Sequence, residues 1–226
     1  MLVWKPEDIQ FDRSEVLRYL GYGSNAAKVG VRIRKMVEQE MDTARTLIAP
    51  RGYFRIVDAA PLREWEYFSD AERVAFGVAT IGEALETRVK ALFAAGEGTR
   101  GVLLDAAGSA AAEAVTDLVN REVWRWAKRM GYRTTRRFSP GYGTWSVEGQ
   151  ELVFQHLRDR KVEQLGVTLT PSLLMVPLKS VSFAIKLGRQ SMREVNKGRC
   201  VSCALEENCP FRGRDDVCRK ASGERV

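Results

Sequence analysis

Arg136-Arg137-Phe138-Ser139-Pro140-Gly141-Tyr142-Gly143-Thr144-Trp145 brings a basic pair, a proline, two glycines and aromatic side chains together within ten residues. Pro140 fixes its own φ and pushes Ser139 toward extended geometry. Gly141 and Gly143 permit positive φ and let another molecule approach the backbone closely. This stretch therefore predicts a rigid, open-faced loop that the rest of the fold holds in place.

The side chains of this loop suit a ligand that carries an acidic group. Arg137 offers a planar fork of donors to a carboxylate or a phosphate, and the rings of Tyr142 and Trp145 can stack on a flat group. A strand-ending turn whose aromatic side chains only pack against the core fits the same local pattern. The loop by itself leaves both interpretations open.

The flanking sequence predicts an α+β fold. Apolar residues at helical spacing predict helices, and short runs rich in β-branched and aromatic residues predict strands. The predicted helices cover residues 15–20, 26–48, 83–95, 103–130 and 146–157. The predicted strands cover residues 53–57, 63–68, 74–80, 132–138, 169–175 and 180–187. The loop thus falls between a strand and a helix.

Finer predictions concern the caps and faces of the helices. Ser14 is expected to cap the first helix. On the long helix that ends at Met130, Glu113 projects away from an apolar stripe that is expected to face the core. That stripe consists of Val115, Val119, Val123, Trp126 and Met130. His156, the only histidine, is expected on the surface, where no second histidine orients it for catalysis.

Composition indicates a globular protein. The chain has 226 residues, of which 45% are hydrophobic, enough for a sizeable core. No basic segment followed by an apolar run opens the sequence, and no apolar run approaches membrane-spanning length. We therefore expect a cytoplasmic protein with no membrane partner.

The net charge of +7 is unevenly distributed. Arg121–Arg137 holds seven Lys/Arg against one Glu, and the last 41 residues hold ten Lys/Arg against six Asp/Glu. Such basic stretches predict an acidic partner or an anionic ligand, although a basic face that is merely solvated is a common alternative.

The four cysteines lie close together near the C-terminus. Cys200-x2-Cys203-x5-Cys209-x8-Cys218 supplies four thiolates within nineteen residues, the number that closes a tetrahedral zinc site or holds a 4Fe-4S iron–sulfur cluster. The Cys209-Pro210 pair favours the cluster; zinc is the main alternative, and a thiol or disulfide function is the third. Because residues 189–226 are short of aliphatic side chains, we predict two domains, 1–188 and 189–226, with the second held together by metal.

Several motifs resemble the activation, or reactivation, domain of cobalamin-dependent methionine synthase. Arg137-Phe-Ser-Pro-Gly-Tyr142 is similar to the Arg-Pro-Ala-Pro-Gly-Tyr loop of that domain, and Ala112-Glu113-Ala114 is similar to an Ala-Glu-Ala on the helix ahead of it. Leu169-Thr-Pro-Ser172, followed by Met175, Pro177 and Ser180-Val-Ser182, is similar to its Leu-Thr-Glu-Ser, Met, Pro and Ser-Val-Ser run. The resemblance covers most of residues 12–188 and is nearest to the stand-alone forms of this domain.

This resemblance implies a bent antiparallel sheet flanked by helices and a role in reactivation. The family binds S-adenosylmethionine and presents its methyl group to cob(I)alamin, once an electron donor has supplied one electron. By resemblance, Arg137 binds the methionine carboxylate of this ligand and Glu113 its polar groups. Ser139 and Gly141 make backbone contacts, and Tyr142 lies beside ligand or corrin. Because the corrinoid is the nucleophile, the chain would need no general base.

The resemblance also implies the partners. The chain would serve a methionine synthase that lacks its own activation domain, or another corrinoid-binding protein, as the activation component of a methyltransferase system. An acidic electron donor such as flavodoxin or ferredoxin is a second implied partner. The alternative function is a basic nucleic-acid-binding module that carries zinc or an iron–sulfur cluster. A third is a relative of the family that binds another adenosine compound or only a protein.

Overall fold

The computed structural model describes residues 1–22, 29–158 and 163–193. Within these ranges the helices are α1 (Arg13–Tyr19), α2 (Val31–Leu47), α3 (Ala84–Ala94), α4 (Gly98–Arg129) and α5 (Gly149–Leu157). The strands are β1 (Leu2–Val3), β2 (Arg51–Asp58), β3 (Arg73–Thr80), β4 (Arg133–Thr134), β5 (Thr168–Leu169), β6 (Met175–Val176) and β7 (Ser180–Gly188). None of these helices combines the length and apolar character that crossing a bilayer requires.

Five strands form one sheet in the order β1-β2-β3-β7-β4, and β5 and β6 form a separate two-stranded sheet. β1 runs antiparallel to β2 with Leu2 opposite Gly52, and β4 runs antiparallel to β7 with Arg133 opposite Gly188. Antiparallel strands accompanied by long helices confirm the predicted α+β class.

The chain divides into two compact units. The first comprises the described residues of Met1–Gly52, Ala79–Thr116 and Gln164–Val181, and the second comprises the described residues of Tyr53–Val78, Asp117–Glu163 and Ser182–Val226. β2, β3, β7 and α4 each continue from one unit into the other along the chain. The predicted boundary at residue 188 stays a prediction, because most of the 189–226 segment lies outside the described residues.

The core of the first unit lies among its helices. Val37, Met41 and Ala44 recur at helical spacing on α2 and are all buried, as the apolar pattern predicts. Gly108 of α4 lies so near Leu85 of α3 that a Cβ there would come within 2.6 Å of the leucine Cδ2. α4 therefore needs glycine at this position to pack closely.

The core of the second unit is aromatic. Phe68 packs edge-on against Phe76, with ring centroids 5.7 Å apart, and also against Trp145 at 6.0 Å. Phe183 on β7 fills the space above Gly77 on β3, where a Cβ would lie 2.4 Å from the phenylalanine Cζ. This cluster lies directly behind the loop that follows Phe138.

Two local predictions from the first half of the chain are wrong. Residues 63–68 are not a strand. Residues 63–65 form a turn and a bend after the 3-10 helix Ala60–Leu62, and Glu66–Phe68 is a second 3-10 helix. The aromatic side chain of Phe68 packs in the core. The cap of α1 is Asp12, not Ser14. The Asp12 carboxylate accepts a hydrogen bond from the Glu15 N–H at 3.0 Å, and Ser14 donates to the same oxygen.

The long helices differ from prediction in where they begin and what they bury. α4 begins at Gly98, five residues before the predicted start. Its buried stripe runs through Val115, Val119 and Val123 as predicted but continues to Ala127, whereas Met130 is exposed and Trp126 is half-buried. Steps of four residues keep the stripe on one face. α4 ends at Arg129, so Met130 lies just beyond the last residue of the helix. α2 begins at Val31 and is preceded by Gly30 in extended conformation, so the predicted start at residue 26 is wrong.

Candidate functional site

The backbone that leads into the candidate loop is hydrogen-bonded to β7 at two places. β4 pairs with β7 at Thr134 and Leu187. Further along, Phe138 and Ala184 exchange two backbone hydrogen bonds of 3.0 and 2.8 Å. Arg136 and Arg137 lie between these pairings, so their backbone is held against β7. The predicted strand over 132–138 is therefore realised as two short pairings rather than one continuous ladder.

The loop from Ser139 to Trp145 is closed by its own hydrogen bonds. The Gly141 N–H donates to the Trp145 carbonyl at 2.8 Å, and the Tyr142 N–H donates to the Ser139 carbonyl at 3.2 Å. Gly141 and Gly143 have φ values of 82° and 62°, the left-handed region that disfavours other residues. The predicted turn is confirmed, and both glycines are needed for its shape.

The two aromatic side chains of the loop differ in exposure. Trp145 is 2% exposed and packs on Phe138 with ring centroids 5.1 Å apart. A Cβ at position 149 would lie 2.4 Å from its indole Nε1, so Gly149 allows α5 to pack against this ring. The interpretation of Trp145 as a ring that stacks on a ligand is wrong, because its ring is buried in the core. Tyr142 is 71% exposed and lies at the tip of the turn.

Arg137 is paired with a carboxylate of the same unit. Its Nη1 lies 2.8 Å from the Asp117 Oδ1. The Arg137 side chain is 12% exposed, whereas that of Asp117 is 42% exposed. The guanidinium is therefore held at the base of the loop beside a carboxylate that solvent reaches. An acidic and a basic group side by side match the two charges of a free α-amino acid group.

Asp117 was missed by sequence reasoning. It lies four residues after Glu113 on α4, so the two carboxylates follow one another on one face of that helix. That spacing was the available signal, but nothing local indicated that an arginine twenty residues further on would pair with it.

The other predicted site residues are distributed as follows. Arg137, Ser139, Gly141 and Tyr142 lie together in the second unit, on one turn and its approach. The Ser139 carbonyl and the Gly141 N–H form hydrogen bonds within the turn. Contacts of these two residues with a ligand stay predictions. Glu113 lies on α4 within the first unit and is half-buried, off the buried stripe as predicted. Its contact with a ligand also stays a prediction.

Buried Lys186 of β7 is hydrogen-bonded to Thr135, in the segment that precedes the loop. The Lys186 N–H donates to the Thr135 hydroxyl at 3.1 Å, and the Thr135 N–H donates to the Lys186 carbonyl at 3.1 Å. The Lys186 side chain is 2% exposed, and its ammonium lies 2.6 Å from the Asp70 Oδ1. Partial burial raises the pKa of Asp70, but hydrogen bonds from Lys186 and the Arg193 N–H outweigh it and bring the pKa below its ordinary value.

His156 is half-buried. Its ring lies against Phe76 with centroids 4.9 Å apart, and its Nδ1 is 2.9 Å from the Leu152 carbonyl. The side chain is less exposed than expected, because α5 turns one side of the ring toward the aromatic core. The packing supports a structural role.

The described residues contain no group of three or more His, Cys, Asp or Glu side chains that could hold a metal ion. The predicted ligands Cys200, Cys203, Cys209 and Cys218 lie outside the described residues. An iron–sulfur cluster or zinc at these cysteines stays a prediction.

No family model and no curated protein matches the sequence. Among solved structures, the chain is similar to one described as the crystal structure of the MetH reactivation domain bound to AdoHcy, with a TM-score of 0.64. The match covers 85% of this chain and 79% of that chain at 16% sequence identity. At this identity the likeness establishes the fold. The expected bent antiparallel sheet flanked by helices is thereby confirmed.

Proposed function

We propose that this chain binds S-adenosylmethionine and reactivates a corrinoid protein by reductive methylation. The observation that carries the proposal is the Arg137–Asp117 pair at the base of a rigid Pro-Gly loop. The fold shared with a reactivation domain solved with AdoHcy supports it. The loop motif that resembles Arg-Pro-Ala-Pro-Gly-Tyr supports it independently, because it rests on the sequence.

In this proposal the two charges of the pair bind the amino-acid end of the ligand. Arg137 donates to the carboxylate through nitrogens of its guanidinium fork. Asp117, the more exposed partner, accepts from the ammonium group. Glu113 binds other polar groups of the ligand. The chain's contribution to methyl transfer is alignment and charge placement, since the reduced corrinoid is itself the nucleophile.

The exposed Tyr142 has a separate role in the proposal. Its ring stands at the tip of the turn, where it can cover the ligand or contact the flat corrin of a partner. Because Trp145 anchors the same turn in the core, the position of Tyr142 is defined by buried packing.

The partners belong to the proposal as well. The chain serves a methionine synthase without its own activation domain or another corrinoid-binding protein, in the cytoplasm. An acidic electron donor such as flavodoxin or ferredoxin supplies the electron.

Calorimetric titration with S-adenosylmethionine and with AdoHcy tests the ligand. We expect Arg137→Ala to weaken both by about 10- to 100-fold, the usual value of hydrogen bonds to a charged group. Arg137→Lys should recover only part of this, because lysine keeps the charge and loses the fork. Arg133→Ala removes an exposed cation of β4 and is the matched control, with unchanged affinity expected.

The reaction itself is followed by absorbance. Reduced corrinoid protein mixed with the chain and S-adenosylmethionine should form methylcob(III)alamin, and Arg137→Ala should slow this formation. Wild-type protein that binds neither ligand would refute the proposed function.

The nucleic-acid alternative has less support from the structure. Arg137 and Arg125 of the basic run are each paired with a carboxylate, Asp117 and Glu122 respectively. A nucleic-acid site would instead direct such side chains to phosphates, and its affinity would fall steeply with salt. A filter-binding assay across salt concentrations distinguishes the two functions.

A further inference from the structure

The C-terminal half of α4 presents a basic face with a tryptophan in its middle. Arg121, Trp124, Arg125 and Lys128 follow one another at i, i+3, i+4 and i+7, so they share one side of the helix. All four are exposed. The opposite side carries the buried Val119, Val123 and Ala127, which attach the helix to the core of the second unit. We call the four exposed residues the Trp124 face.

Trp124 is unusual in this position. It is 42% exposed, and the Lys128 ammonium lies over its ring, 5.0 Å from the centroid. The ammonium leaves a large part of the indole in water, although burying an aromatic ring is favourable. Tryptophan and arginine are the residue types most enriched at the energetic centres of protein interfaces. The ring is therefore available for contact with another molecule.

The charge of the face identifies the kind of partner. Arg121, Arg125 and Lys128 carry three positive charges on about two turns of helix. Arg125 is paired with Glu122. Within the described residues, no carboxylate forms an ion pair with Arg121 or Lys128. The face is thus positive and incompletely neutralised, which favours an acidic partner.

Nucleic acid fits this face less well. A site on duplex DNA commonly neutralises six to ten phosphates, roughly, whereas this face offers three cations, one of which already has a carboxylate beside it. A bulky tryptophan on a convex helix also offers no groove that follows a phosphate backbone. A protein surface that combines carboxylates with an exposed apolar side chain matches both features.

We propose that the Trp124 face is a docking site for an acidic protein segment, in which an apolar side chain of the partner packs on Trp124 and carboxylates pair with Arg121 and Lys128. The inference goes beyond the proposed function and does not depend on the identity of the ligand at Arg137. A face of this size is small beside the roughly 800 Å² per partner of a standard interface, so the complex should be transient and sensitive to salt.

The test uses the full chain and a fluorescein-labelled synthetic peptide in which Glu and Asp surround two leucines. Binding is measured by anisotropy at about 0.01 M and about 0.1 M salt, between which the Debye length falls from about 30 to about 10 Å. We expect binding at low salt that weakens at the higher salt. A peptide with Gln and Asn in place of the carboxylates should not bind.

Variants locate the binding on this face. Trp124→Ala should raise the Kd at least about tenfold, as expected of an interface tryptophan. Arg121→Gln with Lys128→Gln should also weaken binding. Arg32→Gln with Lys35→Gln removes two exposed cations from α2 and is the charge-matched control, with little change expected. Circular dichroism melting checks that each variant is folded.

Three results would overturn the proposal. One is unchanged peptide affinity in folded Trp124→Ala. Another is an equal loss in the α2 control, which would mean binding to net charge alone. The third is tighter binding of a short DNA duplex than of the acidic peptide. Titration of each variant with AdoHcy separates these outcomes from a failure of the proposed function, because the Trp124 face does not include Arg137 or Asp117.

Discussion

At the residue scale, Asp117 is the position whose role is most informative. Asp117→Asn keeps the size and an acceptor oxygen but removes the charge beside Arg137. We expect the affinity for S-adenosylmethionine to fall by about three- to tenfold, as for loss of one partly exposed charge pair. Affinity for 5′-methylthioadenosine, which lacks the amino-acid end, should not change. Both are measured by calorimetry.

The comparison between ligands supplies the control for this variant. A general loss of structure would weaken binding of both ligands, whereas loss of an ammonium site weakens binding only of the ligand that carries the α-ammonium group of an amino acid. Equal or tighter binding of S-adenosylmethionine by Asp117→Asn would contradict the assignment, since it would mean that Asp117 competes with the ligand carboxylate for Arg137.

At the scale of elements, an ion pair connects β7 with the turn before β3. Lys186 is buried on β7, and Asp70 accepts hydrogen bonds of 2.6 Å from its ammonium and from the Arg193 N–H. Asp70→Asn leaves the ammonium buried without an opposite charge, which should destabilise the fold by about 3–5 kcal/mol. Lys186→Met removes the buried ion instead and should cost less. Urea unfolding of both variants measures this difference.

The same pair predicts how stability depends on pH. Because the pKa of Asp70 is lower in the folded chain, its stabilising contribution is complete above the unfolded value of about 3.9. The contribution is lost as the pH falls from there through the lower folded pKa. Asp70→Asn should lose less stability over this acid range than wild type. An equal loss of stability with falling pH in wild type and Asp70→Asn would show that protonation of Asp70 is not linked to unfolding.

At the scale of the whole molecule, the four cysteines predict one metal centre per chain. Anaerobic purification followed by metal analysis should find either iron with sulfide or a single zinc, and visible and electron paramagnetic resonance spectra should distinguish them. Changing Cys200 and Cys203 to Ser should release the metal. AdoHcy binding should survive this change, because Arg137 and Asp117 lie in another part of the chain. A chain that never contains metal would refute the prediction.

Much of the site was predictable from the sequence because its determinants are local. Pro140, Gly141 and Gly143 require a particular backbone within a few residues, and the structure has the predicted turn. The helical spacing of Val115, Val119 and Val123 likewise defined the buried face of α4. Each of these rests on conformational preferences that act over one or two turns of chain.

Only the tertiary structure decided which side chains would be buried in the core and which charged groups would form ion pairs. Trp145 and Phe68 look alike as aromatic residues near turns, but packing buries both, so neither follows its local prediction. Arg137 pairs with Asp117, which is 20 residues away in the sequence, and Lys186 pairs with Asp70, which is 116 residues away. The sequence determined the turn and the chemistry that it carries. The partners of its charged groups depended on the folding of distant segments, because electrostatic pairing and burial are set by distance in space and not along the chain.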